Sequence, residues 1–162
     1  MSSDKIQDLI SKSIAYASDN YGAPPDFNVL LNPRLIPEQY FGFSRGEMPV
    51  IRVAGGRAQD ALRSLLVLEA ALGLGQIIIV HHTDCGMMHL TDAGIKAFFK
   101  EKCPHKSADL DAMDFDAIVD GDLQKSVRTD IGLLKESPYF SKDLVVTGMI
   151  FDMNTGKVQM VN

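Results

Sequence analysis

The segment Gln76-Ile77-Ile78-Ile79-Val80-His81-His82-Thr83-Asp84-Cys85-Gly86 decides how the chain folds. Four consecutive branched aliphatics, bounded by Gly75 and by polar residues, predict a strand buried on both faces and paired in parallel. Two histidines and a cysteine follow at its C-terminal end, where ligands collect in open α/β sheets. Side chains alternate along a strand, so His81 is expected to point away from His82. A turn at Thr83-Asp84 then brings the His82 imidazole and the Cys85 thiolate to one point, a His-x-x-Cys spacing suited to a metal ion.

Working outward, Val50-Ile51-Arg52-Val53 predicts a second strand, Ala54-Gly55-Gly56 a turn, and Leu62, Leu65, Leu66, Leu68 and Leu72 a helix closed by Gly73. Upstream, Ile6, Leu9, Ile10, Ile14 and Ala17 recur at helical spacing over residues 1–20, and Pro24-Pro25 ends that helix. Phe27 to Leu31 reads as a short buried strand. Downstream come a helix from Thr91 to about Lys102, a stop at Pro104, an acidic loop from Asp109 to Asp116, and a helix through about Glu136. Leu144 to Asp152 predicts a strand, which Asn154-Thr155-Gly156 turns back into Val158 to Val161. Strands alternating with helices indicate an α/β fold, a mostly parallel sheet flanked by helices. The 162 residues suit one domain, 1–162.

Composition narrows the function. Sixteen basic against twenty-one acidic residues give a net charge of −5, with no cationic block for phosphates, so nucleic acid is not an expected partner. No apolar run approaches the roughly twenty residues of a membrane span. The first twenty residues lack the features of a signal peptide, and two cysteines make no disulfide framework, so a cytoplasmic location is expected. Cys103 and His105, beside Pro104, read as a free thiol and a surface histidine.

The residues His82-Thr83-Asp84-Cys85-Gly86-Met87, the preceding Ile77–Val80, Asn32-Pro33-Arg34-Leu35, Val50–Gly56 and the closing Gly148–Lys157 together resemble the β-class carbonic anhydrases in their short form. Val53 stands in the Asn place of that family's Arg-Asn-Ala-Gly segment. The resemblance implies a parallel sheet with an antiparallel edge. It also implies a homodimer or higher assembly with the cleft at the subunit interface, the helix of residues 1–20 packing on a partner, and CO2 hydration on zinc held partly by His82 and Cys85. Relatives hydrolyse carbonyl sulfide or carbon disulfide.

The family's first motif, Cys-x-Asp-x-Arg, stands here as Leu30-Leu31-Asn32-Pro33-Arg34. Leu30 offers a hydrocarbon where the first thiolate belongs, and Asn32 replaces the carboxylate that pairs with the arginine. Arg34 is thereby free to bind the anionic end of a small-molecule substrate, or to pair with Asp84. His89, four residues after Cys85, is a candidate third ligand. Gly55 and Gly56 could present N–H groups to an anion, and Met87 could line an apolar pocket. Three readings follow. The first is a repurposed enzyme without zinc, whose cleft, now with Leu30 against the substrate and Asn32 among the catalytic residues, binds a small carboxylated or carbonyl-bearing molecule near Arg34 and uses His82, Cys85 or Asp84 for proton transfer or nucleophilic attack. The second is a zinc lyase or hydrolase with a substitute ligand, and the third a non-catalytic dimer.

Overall fold

A computed structural model describes residues 3–20, 35–44, 46–118 and 121–161. The order is α1 (Ser3–Asn20), α2 (Pro37–Tyr40), α3 (Ala58–Leu72), β1 (Gln76–His82), α4 (Asp92–Lys102), α5 (Ser107–Ala112), α6 (Leu123–Glu136), β2 (Val145–Phe151) and β3 (Val158–Val161). Single 3-10 turns lie at Ala54–Gly56, Gly86–Met88 and Pro104–Lys106.

The sheet order is β1-β2-β3. β1 pairs in parallel with β2, Ile79 opposite Gly148, and β2 pairs antiparallel with β3, Phe151 opposite Val158. The aliphatic run feeds both faces, as its lack of alternation predicts. Ile78 and Val80 pack with Tyr40, Phe41 and Phe151 in the layer that includes Ile6 and Leu9 of α1. Ile77 and Ile79 pack with Leu65 of α3 and Leu134 of α6. Phe151, fully buried and stacked on Tyr40 with ring centroids 4.4 Å apart, contributes about 2–3 kcal/mol by its burial. The apolar stripe of α1 thus sits on its own chain's sheet, while Ile14 remains 49% exposed.

Val50–Val53 does not form a strand among the described residues: Val50 and Ile51 pack on opposite core layers, but the backbone joins no ladder. The acidic stretch from Asp109 is helical as far as Ala112, and only the remainder is loop. The strand expected at Phe27–Leu31 lies outside the described residues, as do Leu30, Asn32 and Arg34.

Candidate functional site

β1 delivers His81 and His82 to opposite faces of the sheet, and the chain turns immediately after them. The Thr83 N–H donates to Phe151 O (2.9 Å), holding the end of β1 against β2. Asp84 takes φ +55, a left-handed conformation that carboxamide and carboxylate residues tolerate better than branched ones, and this closes the turn. Cys85, 5% exposed, is thereby folded back to hydrogen-bond with His82. The His82 Nδ1–H donates to Thr83 O (2.9 Å), which fixes the ring and leaves Nε2 as the nitrogen available for chemistry.

Electrostatics follow from that geometry. Burial pushes the Cys85 thiol up, but the hydrogen bond from His82, the Met87 and Gly55 N–H groups and the charge of His82 outweigh it, so the thiol sits below its ordinary value. Burial pulls His82 down, yet the hydrogen bond and charge of Cys85, the Thr83 carbonyl and Asp84 leave it above its ordinary value. Each group favours the charged form of the other, as in a thiolate–imidazolium pair.

The Gly55–Gly56 turn is wedged against this pair. Both glycines have positive φ, +65 and +71. A Cβ on Gly55 would meet Met87 Cγ at 3.2 Å, and one on Gly56 would lie 2.9 Å from both His81 Cδ2 and Val80 O. Only residues without a side chain let the turn come close enough for the Gly55 N–H to reach Cys85.

Behind the turn lies a charge cluster that the sequence reading missed. Arg57, 5% exposed, donates through Nε to Asp116 (2.5 Å) and through one terminal nitrogen to Ser126, while its other terminal nitrogen forms an ion pair with Asp130 at 3.3 Å, outside hydrogen-bond geometry. Asp130 is fully buried, and its other oxygen accepts from His81 Nε2–H at 3.0 Å. Arg57 stands immediately before α3 among several other charged residues of that helix, so nothing local singled it out; Asp116 and Ser126 lie 59 and 69 residues away in sequence, and Asp130 farther still.

The remaining candidates divide. Met87 packs on Gly55 and in the cluster of Ile118, Val127 and Ile150. Asp84 and His89 pair with each other at the surface (3.2 Å, side chains 42% and 66% exposed), so His89 is turned to Asp84 rather than joining His82 and Cys85. Cys103 and His105 are exposed. A groove of about 550 Å³ runs along the edge of β1 away from β2, walled by Tyr40, Val50, Leu65 and Ile78 and reaching Gly55 and His82.

The donors gathered here are one imidazole and one thiol. Among the described residues no group of three or more His, Cys, Asp or Glu side chains is placed to hold a metal ion. Position 30 carries leucine, which has no donor atom. This set does not fit a catalytic zinc held by three protein ligands.

Fold and site define a class. The sequence profile of the carbonic anhydrase family matches residues 32–158, and the chain belongs to that family, in its β class. It is similar to β-carbonic anhydrase 1 of Mycobacterium tuberculosis, 30% identical over 162 residues that cover 95% of this chain and 96% of the relative. It is also similar to a carbon disulfide hydrolase of Acidithiobacillus thiooxidans, 27% identical over 133 residues, 71% of this chain and 64% of that one. Among solved structures, carbonic anhydrases from Glaciozyma antarctica (TM-score 0.73, 29% identity) and Streptococcus mutans (TM-score 0.71, 32% identity) superpose over 100% of both chains.

Proposed function

We propose that this member of the β-carbonic anhydrase family is a repurposed enzyme, acting on a small carboxylated or carbonyl-bearing molecule without hydrating CO2 on zinc. The observation that carries the reading is the His82–Cys85 pair with no third metal donor beside it among the described residues, in a chain whose position 30 is leucine. The apolar groove reaching His82 suits a small substrate.

In this reading Arg34 orients the anionic end of the substrate through paired hydrogen bonds. Cys85 Sγ attacks the carbonyl carbon, forming a C–S bond as the carbonyl π pair moves to oxygen. When that pair returns, the leaving group departs with its bonding electrons and takes a proton from His82. Neutral His82 then accepts a proton from water as the water oxygen attacks the thioester, and the proton is returned to the departing Cys85 sulfur. Asp84, beside His82, favours the imidazolium that this cycle needs.

A second reading, zinc-dependent lyase or hydrolase chemistry, is favoured by the similarity to a carbon disulfide hydrolase. It requires a third donor from outside the described residues, since His89 is engaged with Asp84. We further propose a cytoplasmic homodimer. Its support is the exposed apolar surface of α3, where Val67 and Leu72 are 56% and 67% exposed. No helix among the described residues is long and apolar enough to cross a membrane.

The test is turnover of small carboxylated esters and thioesters, with CO2 and carbon disulfide in parallel. Cys85→Ser and His82→Ala are expected to lower ester or thioester turnover by about 100-fold or more, and Arg34→Ala to raise KM. Unchanged turnover in both His82→Ala and Arg34→Ala overturns the assignment.

A further inference from the structure

The polar contacts around Cys85 close into two rings that both return to the thiol through Gly55 and both pass through Arg57. In the first, the Gly55 N–H contacts Cys85, Arg57 follows Gly55 by two residues, and Arg57 Nε donates to Asp116. Two residues beyond Asp116, the Ile118 N–H donates to Met87 O (3.0 Å), and Met87 leads back to Cys85. In the second, Arg57 contacts Asp130, Asp130 accepts from His81, and His81 precedes His82, which hydrogen-bonds to Cys85. The guanidinium therefore ties together the three segments that surround the thiol: the glycine turn, the end of β1, and the loop at residues 116–118. Asp116 holds its place in the first ring at φ +50, the same left-handed conformation as Asp84. Its side chain is 36% exposed, so this arm lies at the solvent boundary, whereas the Asp130 arm is sealed.

We propose that Arg57 is the positioning residue of the Cys85–His82 site: its simultaneous grip on Asp116, Ser126 and Asp130 sets where the Gly55 N–H and the His82 ring stand relative to the thiol. The inference rests on reading Cys85 and His82 as the reacting groups. A planar fork with fixed donor directions can hold three partners at once, and a lysine ammonium on a flexible stem cannot reproduce that arrangement. Charge alone is thus insufficient, and this separates positioning from simple neutralisation of the buried Asp130.

The test measures alkylation of Cys85 by iodoacetamide in the full-length chain carrying Cys103→Ser, at a pH where the thiol is fully ionised, so that packing and not protonation sets the rate. Hydrogen exchange of the β2 amides is followed in the same samples. Arg57→Lys is expected to raise the alkylation rate by about tenfold while β2 exchange stays unchanged, because the local cage opens and the sheet does not. Asp116→Asn, which leaves the buried arms in place and serves if Arg57→Lys does not fold, is expected to raise it by a smaller factor. Asp111→Asn, which breaks a surface pair with Lys100, is the control expected to leave the rate unchanged.

Rates within twofold of the parent in both Arg57→Lys and Asp116→Asn overturn the proposal, and so does a rise matched by faster β2 exchange, which marks a purely structural role. Parent-like rates with Arg57→Lys alongside a rise with Arg57→Gln also overturn it, since a bare charge would then suffice. Turnover reports separately on the proposed function. If Cys85→Ser abolishes turnover while alkylation is insensitive to both Arg57→Lys and Asp116→Asn, the positioning inference alone fails. If alkylation responds but Cys85→Ser leaves turnover intact, the functional reading fails instead.

Discussion

His81 Nε2 lies 3.0 Å from Asp130 Oδ2, and both side chains are sealed from solvent. The contact crosses from β1 to α6 on the sheet face opposite His82, so the structural histidine and the candidate reactive histidine are separated by one residue of strand alternation. Asp130 is shared with Arg57, and its removal leaves a buried guanidinium short of one counter-charge. Asp130→Ala is therefore expected to destabilise the fold by about 3–5 kcal/mol, measured by urea unfolding. A loss below about 1 kcal/mol would mean that Asp116 alone satisfies Arg57.

Gly56 is held at φ +71 with no room for a Cβ beside His81 and Val80 O. Gly56→Ala is expected to cost about 2–4 kcal/mol, combining left-handed backbone strain with a clash against main chain. Gly75→Ala, at a position with open space and ordinary φ, is expected to stay within about 0.5 kcal/mol of the parent. Equal effects from the two would refute the close-approach account of the glycine turn.

The His82–Cys85 pair makes a prediction in pH. His82 is raised above its ordinary 6.5, so its contribution to stability is complete below that value and disappears as pH rises through the folded-state titration. Cys85 is lowered from 9.0, so its contribution is present above that value and is lost as pH falls through the folded-state titration. Replacing the thiol by Cys85→Ser leaves burial as the largest influence on His82. An NMR titration of the imidazole should then show a lower midpoint than in the parent, and an unmoved midpoint would deny the coupling.

At the other end of the turn, burial pushes Asp152 up, but donors from Asn154, Thr155 and Thr83 outweigh it and hold the carboxyl below its ordinary 3.8. Its contribution is present above that value and vanishes as pH falls through the folded-state titration. Asp152→Asn is expected to be less stable than the parent at neutral pH, with the gap closing under acid in urea melts taken across pH. A constant gap would assign the loss to hydrogen-bond geometry and not to charge.

Much of this arrangement was written locally. The run Ile77–Val80 announced a doubly buried strand because no polar residue interrupts it, and strict alternation placed His81 and His82 on opposite faces. The turn from Thr83 to Cys85 spans few enough residues for spacing alone to bring imidazole and thiol together. Arg57 was not legible, because Asp116, Ser126 and Asp130 reach it only through packing of α6 and a distant loop. Val50–Val53 has the composition of a strand, yet composition reports burial, and burial was achieved there without a ladder. His89 shows the limit of spacing from the other side: four residues after Cys85 would share a helical face, but the turn there is a single 3-10 segment and His89 meets Asp84 instead.

The central claim is the proposed one, that the donors among the described residues, with leucine at position 30, do not complete a catalytic zinc site, and metal content tests it most directly. Zinc per chain is measured in purified parent protein and in the Leu30→Cys, Asn32→Asp double variant, each assayed for CO2 hydration. The account predicts far less than one equivalent and no hydration in the parent, with about one equivalent and hydration gained in the double variant. A parent protein carrying a full equivalent of zinc and hydrating CO2 rapidly would contradict it.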